Sequence, residues 1–444
     1  MGTRAWSMPL ILAASALVVA LAASAASAKT YRVTRHDDPR PRACKHEDCS
    51  LREAIRAANK HRGRDVVVLP DRAPRYRLSR HEGGGGNNRG DLDVAGPITI
   101  RHGLGGRAVI DARGVSRVLD IHRGAATKLA RVTLTGGDVS AAGGGVATHA
   151  PLRLIRSVLL ANRADSGGGI LATAPLTLMR TRVRDNEATR GVGGGIDARL
   201  GLVRIIRSKV TGNRGSAGGG IALGDDVFRL SKSTVAHNSS DAEAGGVYLL
   251  RAVGRIAEST INGNVAHGSG GGLYQSESSL AVFNATITRN RADLTGGGIQ
   301  SAAAGGNVML NSVTVVHNVA NGSGRHALGG GLASKGGTFG VANSIVALNR
   351  SGATPNDCHG AFHSFEGNLV GTLDYCRGFA GPAMVGLDPK LGSLADNGGP
   401  TKTLALSPGS PAIGRADTAR EPELDQRGRK RGARPDIGAF ERSP

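Results

Sequence analysis

Aromatic side chains are scarce. Phe, Tyr and Trp make up 3% of the 444 residues, and the one tryptophan is Trp6. Large rings carry much of the buried area of an ordinary globular core, so this chain needs another way to pack. The same scarcity disfavours a nucleic-acid partner, because bases stack on aromatic platforms. Cysteine is limited to four residues, too few for a disulfide-dense miniature scaffold. Acidic residues are outnumbered, 35 against 56 Lys and Arg, which gives a formal charge of +21. Long apolar runs are missing after residue 28, which leaves no further candidate for a membrane-spanning segment. Glycine, in contrast, is abundant at 68 residues.

Much of that glycine falls in a repeat. A glycine run followed by an aliphatic residue, a polar turn and an alternating strand ending in Asn recurs about every 25 residues. The last Gly falls at 145, 169, 195, 220, 246, 272, 298 and 331, and the closing Asn at 162, 186, 213, 238, 264, 290, 318 and 349. A fixed period of this size specifies a solenoid, in which each unit packs on its neighbours. Counted back from the Asn, the eighth residue (Leu154, Leu178, Ile205, Leu230) and the third (Leu159, Val183, Val210, Val235) are aliphatic, with exposed-type residues between. That period of two marks strands with one buried face. Glycine permits tight reversals, and Asn tolerates the left-handed backbone region, so the Asn column is expected to mark a repeated turn. Two or three short strands per coil make an all-β parallel β-helix. Eight regular coils at one strand spacing each give a rod roughly 38 Å long.

The flanks are different. Residues 1–28 read as a secretory signal: Arg4, an apolar run from Leu10 to Ala22, then Ala26-Ser27-Ala28. Residues 29–65 form an N-terminal cap, in which residues 44–63 form a helix. Ser50 and Glu53 make a capping box ahead of an apolar stripe of Leu51, Ala54, Ile55 and Ala58. Such a helix suits the open end of a β-helix, which would otherwise template aggregation. Irregular coils occupy 66–135, regular coils 136–350, and a Pro- and Gly-punctuated closing region 351–444. In an oxidising compartment Cys44/Cys49 and Cys358/Cys376 read as two local disulfides, from proximity in sequence. Zinc on Cys358, His359, His363 and Cys376 is the competing reading. Arg89-Gly90-Asp91 matches a cell-adhesion tripeptide but reads more simply as a turn.

Cys49-Ser50-Leu51-Arg52-Glu53-Ala54 resembles the "CSLREA" motif of exported bacterial β-helix proteins. The tail, from Gly398-Gly399-Pro400-Thr401 to Asp436-Ile437-Gly438-Ala439-Phe440-Glu441, is similar to the "choice-of-anchor" module that closes many of them. The repeats resemble those of polymorphic outer-membrane proteins. The resemblance implies a right-handed β-helix, secreted or at the cell surface or outer membrane, of undefined activity. Periplasmic retention is the other destination open to an exported chain. Family tails are usually followed by a sorting signal, whereas only Arg442-Ser443-Pro444 follow Glu441 here.

Charge placement suggests a partner. Six residues before the Asn stand Arg156, Arg180, Arg207 and Lys232. Nine before stand Arg153, Arg204, Arg229 and Arg255, and four before stand Arg182 and Lys209. Stacked at strand spacing, these like charges repel, which favours an anion laid along the rod. The bland reading is a solvated face on an arginine-rich chain. Catalytic signals are weaker. β-Helices include pectate lyases and polygalacturonases, but a lyase of that kind needs clustered carboxylates for calcium and a base beside them. Asp197 stands alone in its column, and Asp225-Asp226 lacks the accompanying motifs of a polygalacturonase. The expectation is a monomeric, exported, non-enzymatic surface or matrix protein, adhesin-like. It contacts anionic polysaccharide or cell-surface glycan and needs no cofactor. The alternative is a polysaccharide lyase or glycoside hydrolase acting on acidic polysaccharide, with calcium as its cofactor and Asp197, Asp225 and Asp226 as candidate catalytic groups.

Overall fold

A computed structural model describes residues 27–70, 75–81, 90–103, 105–302, 306–321, 328–379 and 383–442. Residues 1–26 of the expected signal segment lie outside them, as does Arg89 of the tripeptide. Among the described residues no helix is long and apolar enough to cross a membrane.

The chain is a parallel β-helix. A 12-stranded column, the post-glycine sheet, begins each coil with a strand such as Val146–Thr148. A 24-stranded double sheet follows, with two strands per coil, as in Leu152–Ile155 and Val158–Leu160. A 10-stranded post-asparagine sheet completes the turn, as at Arg163–Ser166. Most regular coils therefore carry four short strands rather than two or three; in two coils the pair merges into one strand, Ser279–Thr288 and Asn307–Val316, which leaves three. Pairing between coils keeps strict register: Leu152 opposes Leu176, Leu176 opposes Val203, and Val203 opposes Phe228. Each column of aliphatic residues thereby stacks on itself, and the core is a narrow prism of Ile, Leu and Val with few rings. The post-glycine column spans roughly 50 Å at about 4.8 Å per strand.

Left-handed backbone makes the corners. The first glycine of a triplet takes positive φ, as at Gly193 (68°) and Gly218 (59°). A Cβ on the second, Gly194, would collide with the backbone of Arg214 on the next coil. The asparagines correct the sequence reading. The residue before each Asn, not the Asn itself, is left-handed: Ala161, Asp185, Gly212, His237 and Gly263. Each Asn is buried and donates from Nδ2 to the Oδ1 of the next, at 2.9 Å from Asn162 through Asn349. The ladder ends on Asp357, which accepts from Asn349.

A second ladder runs under another corner. Ser157, Thr181, Ser208 and Ser233 each donate their backbone N–H to the hydroxyl of the following coil, ending on Ser259, for instance Thr181 to Ser208 at 3.0 Å. The residue just before each is left-handed: Arg156, Arg180, Arg207, Lys232 and Glu258, then Asn284, Ser312 and Asn343 in later coils. This bend divides the double sheet and turns the Arg and Lys side chains outward.

Helix α1 spans Leu51–Lys60, shorter than 44–63, because Cys44 and Cys49 are bonded ahead of it. The capping box of Ser50 and Glu53 is present, and Leu51, Ala54, Ile55 and Ala58 join the core. Arg52 is buried, ion-paired to Asp38 at 2.7 Å, and donates to the carbonyls of Gly90 and Asp91. Every residue of the CSLREA-like motif thus has a structural task. Paired strands continue past residue 350 to Met384–Val385, and Phe339, Phe362 and Phe379 pack edge-on and tilted against one another at that end of the core.

The segment after 386 folds back along the outside of the last coils rather than only across their end. Its Leu404, Leu406, Ile437 and Phe440 cover Val316, Ile345 and Ala347 in a separate apolar cluster. It sits on the polar members of the left-handed corner. Asn343 exchanges hydrogen bonds with Asp417, Ser312 donates to Glu421, and Asn284 donates to the carbonyl of Leu424.

Candidate functional site: the basic corner and its cleft

The corner column is basic where the tail does not lie on it. Arg156, Arg180 and Arg207 are exposed and Lys232 is half-buried. Beside them the outward positions of the double sheet carry Arg153, Arg204, Arg229 and Arg255, with Arg182 and Lys209 across the bend, all exposed. Register places Arg204, Arg229 and Arg255 in direct succession and Arg182 opposite Lys209, so all ten residues form one strip. Among the described residues only Lys232 of the ten forms an ion pair, with Glu258 at 3.2 Å. Arg255 lies over the ring of Phe283, 4.4 Å from its centre.

Three further residues belong to the strip. Arg131 is the left-handed corner residue one coil earlier, Lys128 opposes Arg153, and Arg107 donates to the Arg156 carbonyl at 2.8 Å. Burial, then the charges of Arg182 and Arg131, pull the Arg107 guanidinium below its usual value. The part of that pull due to Arg182 and Arg131 reflects the crowding of like charge there. Their coils close without the Gly triplet and Asn, so the repeat alignment could not reach them. The spacing of Leu129 and Arg131 ahead of Val132-Thr133-Leu134 was the available signal.

Toward the tail the strip becomes a cleft of about 690 Å³. Arg180, Arg207, Lys209 and Lys232 form one wall, and Asp396, Gly398-Gly399-Pro400 and Arg427 the other. Arg427 is held by Asp425 at 2.8 Å and lies over Phe440. The tail motifs therefore fix a wall of the cleft.

The carboxylates are dispersed. Asp197 is buried and tied to Arg199 at 2.7 Å and to the Ser166 hydroxyl. Asp225 is exposed and pairs with Arg251. Asp226 is buried, accepts from the Gly201 N–H at 2.6 Å, and has its carboxyl pushed up to about 6 by burial. The structure brings Asp197 and Asp225 to one groove and turns Asp226 inward. It also places Asp93 and Asp120, in register on adjacent strands of the Asp197 column, beside His122 and Arg117. The sequence reading missed this pair because the early coils lack the repeat. Asp120 is already held by Arg117 at 2.7 Å, and two carboxylates with an imidazole fall short of the six to eight oxygens calcium takes. Cys358 and Cys376 are disulfide-bonded, as are Cys44 and Cys49, so no thiolate pair remains for zinc with His359 and His363. Both disulfides fit an oxidising compartment.

No protein-family model and no curated protein matches the sequence. Among solved structures the chain is similar to one described as "Crystal structure of pectate lyase Pel9A", with 15% identity and a TM-score of 0.49. The match covers 95% of this chain and 98% of that one.

Proposed function

We propose that the protein binds acidic polysaccharide along the basic corner, as a non-enzymatic exported scaffold. The observation that carries this reading is the run from Arg131 through Arg156, Arg180 and Arg207 to Lys232. These cations stand one per coil on a bend fixed by the hydroxyl ladder beneath, and only the last is ion-paired among the described residues. Like charges at strand spacing raise the energy of the free protein, and a linear polyanion relieves the repulsion along the whole run. Anchoring one wall of the cleft on the tail gives a chain of sugars a defined place to end or bend.

Retention on a heparin column tests the reading. The Arg156→Glu/Arg180→Glu/Arg207→Glu variant is expected to elute at clearly lower salt than the wild type. A control with Arg350, Arg377 and Arg434 reversed to Glu carries the same net charge and is expected to shift far less. Equal elution of the two variants would mean that net charge alone drives binding. Incubation with polygalacturonate and calcium, followed by ultraviolet absorbance of unsaturated ends, addresses the lyase alternative. No turnover is expected, since Asp197, Asp225 and Asp120 are each held by an arginine.

A further inference from the structure

We infer a second glycan site, for a neutral pyranoside, in the groove between Asp197 and Tyr248 on the post-glycine sheet. The inference does not rest on the basic corner. Register stacks Asp197, Ala222, Tyr248 and Tyr274 on successive coils. Ala222 is the small member, and the groove opens between the carboxylate and the ring. Its volume is about 480 Å³, within the range of small-molecule pockets. Tyr248 is backed by Tyr274, with ring centres 5.5 Å apart and planes within 10°, so the ring is held as a rigid wall. Paired rings are a costly use of aromatics in a chain with only five tyrosines.

Leu200 forms a lip of the groove. It is 72% exposed, the most exposed large apolar residue described, and its φ is +62°. A leucine in the left-handed region is strained, and exposure returns nothing to the fold. The corresponding corner residues of the next three coils are Asp225, Arg251 and Glu277. A strained, solvent-facing leucine beside an aromatic wall fits the apolar C–H face of a sugar ring. The polar rim fits its hydroxyls. Arg199 binds Asp197, itself buried, and Arg251 holds Asp225 through two hydrogen bonds at 2.8 and 2.9 Å. These four charges cancel within the groove. A uronate or sulfated sugar would gain nothing from such a rim, whereas planar donors and acceptors on an aromatic, apolar floor suit a neutral sugar.

Isothermal titration with cellohexaose, xylohexaose, mannohexaose, maltohexaose and chitohexaose tests the site. The titrations run in about 0.5 M sodium chloride, where a screening length of roughly 4 Å silences the basic strip. At least one hexaose is expected to bind the wild type. Tyr248→Ala and Leu200→Gly are each expected to weaken that binding tenfold or more, while the triple Arg→Glu corner variant leaves it unchanged. Leu200→Gly also relieves the positive φ, so it is expected to melt no lower than the wild type, which separates lost binding from lost folding. Absence of binding by all five hexaoses, or affinity retained in both groove variants, would overturn the inference.

Discussion

At the scale of single residues, the informative positions are those where chemistry and surroundings disagree. Asp226 is one. Its Oδ1 accepts from Gly201, but its Oδ2 is buried without a partner. Burial, with Asp197 and Asp225 nearby, raises the carboxyl to about 6 from the ordinary 3.8. The folded state therefore holds a proton that the unfolded chain has released between about pH 4 and pH 6. Stability contributed by this group is full below the unfolded pKa and is lost as pH rises through the folded one. Asp226→Asn keeps the acceptor for Gly201 and removes the titration. The variant is expected to gain roughly 1–2 kcal/mol over the wild type at pH 7.5 and little at pH 4. Thermal melts at both pH values check it. A difference between the two proteins that does not change with pH would show that Asp226 is not the titrating group.

At the scale of the element, the asparagine ladder shows how one residue type becomes compulsory. Each interior Asn receives two donors on Oδ1 and donates from Nδ2 to a backbone carbonyl and to the next Asn. Asn264, for example, accepts from Asn238 and donates to Val235 and Asn290. A carboxylate cannot make the two donations. At the end the demand reverses. Asp357 accepts from the backbone and side chain of Asn349 on one oxygen and from Thr372 on the other. Burial pushes its carboxyl up, and those donors hold it back. Two isosteric exchanges should then both be harmful: Asn264→Asp and Asp357→Asn are each expected to cost about 2–4 kcal/mol in chemical denaturation. Neutrality of Asp357→Asn would mean the ladder does not need its acidic end. The Asn column and the buried aliphatic columns were legible from the sequence because they repeat at fixed spacing. The function of the Asn was not, since a hydrogen bond to the equivalent residue 24 to 31 positions away leaves no local signal. Asp93 and Asp120 escaped notice for a related reason: without a glycine triplet nothing in the letters fixes their register. The basic corner was legible over four regular coils; Arg131 left only the spacing of its strand residues as a signal, and Arg107 appeared only in three dimensions.

At the scale of the whole molecule, one column divides the rod into a covered and an open length. The left-handed corner reads Arg156, Arg180, Arg207 and Lys232, then Glu258, Asn284, Ser312 and Asn343. The change of chemistry coincides with the tail. Thr401 donates to the Glu258 carbonyl, and Arg431 donates to Asn284 Oδ1. Short polar side chains at a left-handed bend present donors and acceptors close to the backbone, which suits a segment laid flat on the corner. Long cations hold a neighbouring chain away and keep the corner open to solvent. It follows that the column decides where the tail can lie. Asn284→Arg/Asn343→Arg would remove the Leu424 and Asp417 anchors and put two unpaired cations beneath the tail, next to buried Arg431. Losing hydrogen bonds worth roughly 1.5 kcal/mol or more in total raises the opened population by at least about tenfold. Trypsin is expected to cut the variant between Arg415 and Arg434 faster by that factor, while its far-ultraviolet β signal stays that of the wild type. Arg180→Asn, which gives the open length a covered-type residue, is expected to leave the cutting rate unchanged. If the double variant resists trypsin as well as the wild type does, the apolar contacts of Leu404, Leu406, Ile437 and Phe440 hold the tail without help from the corner.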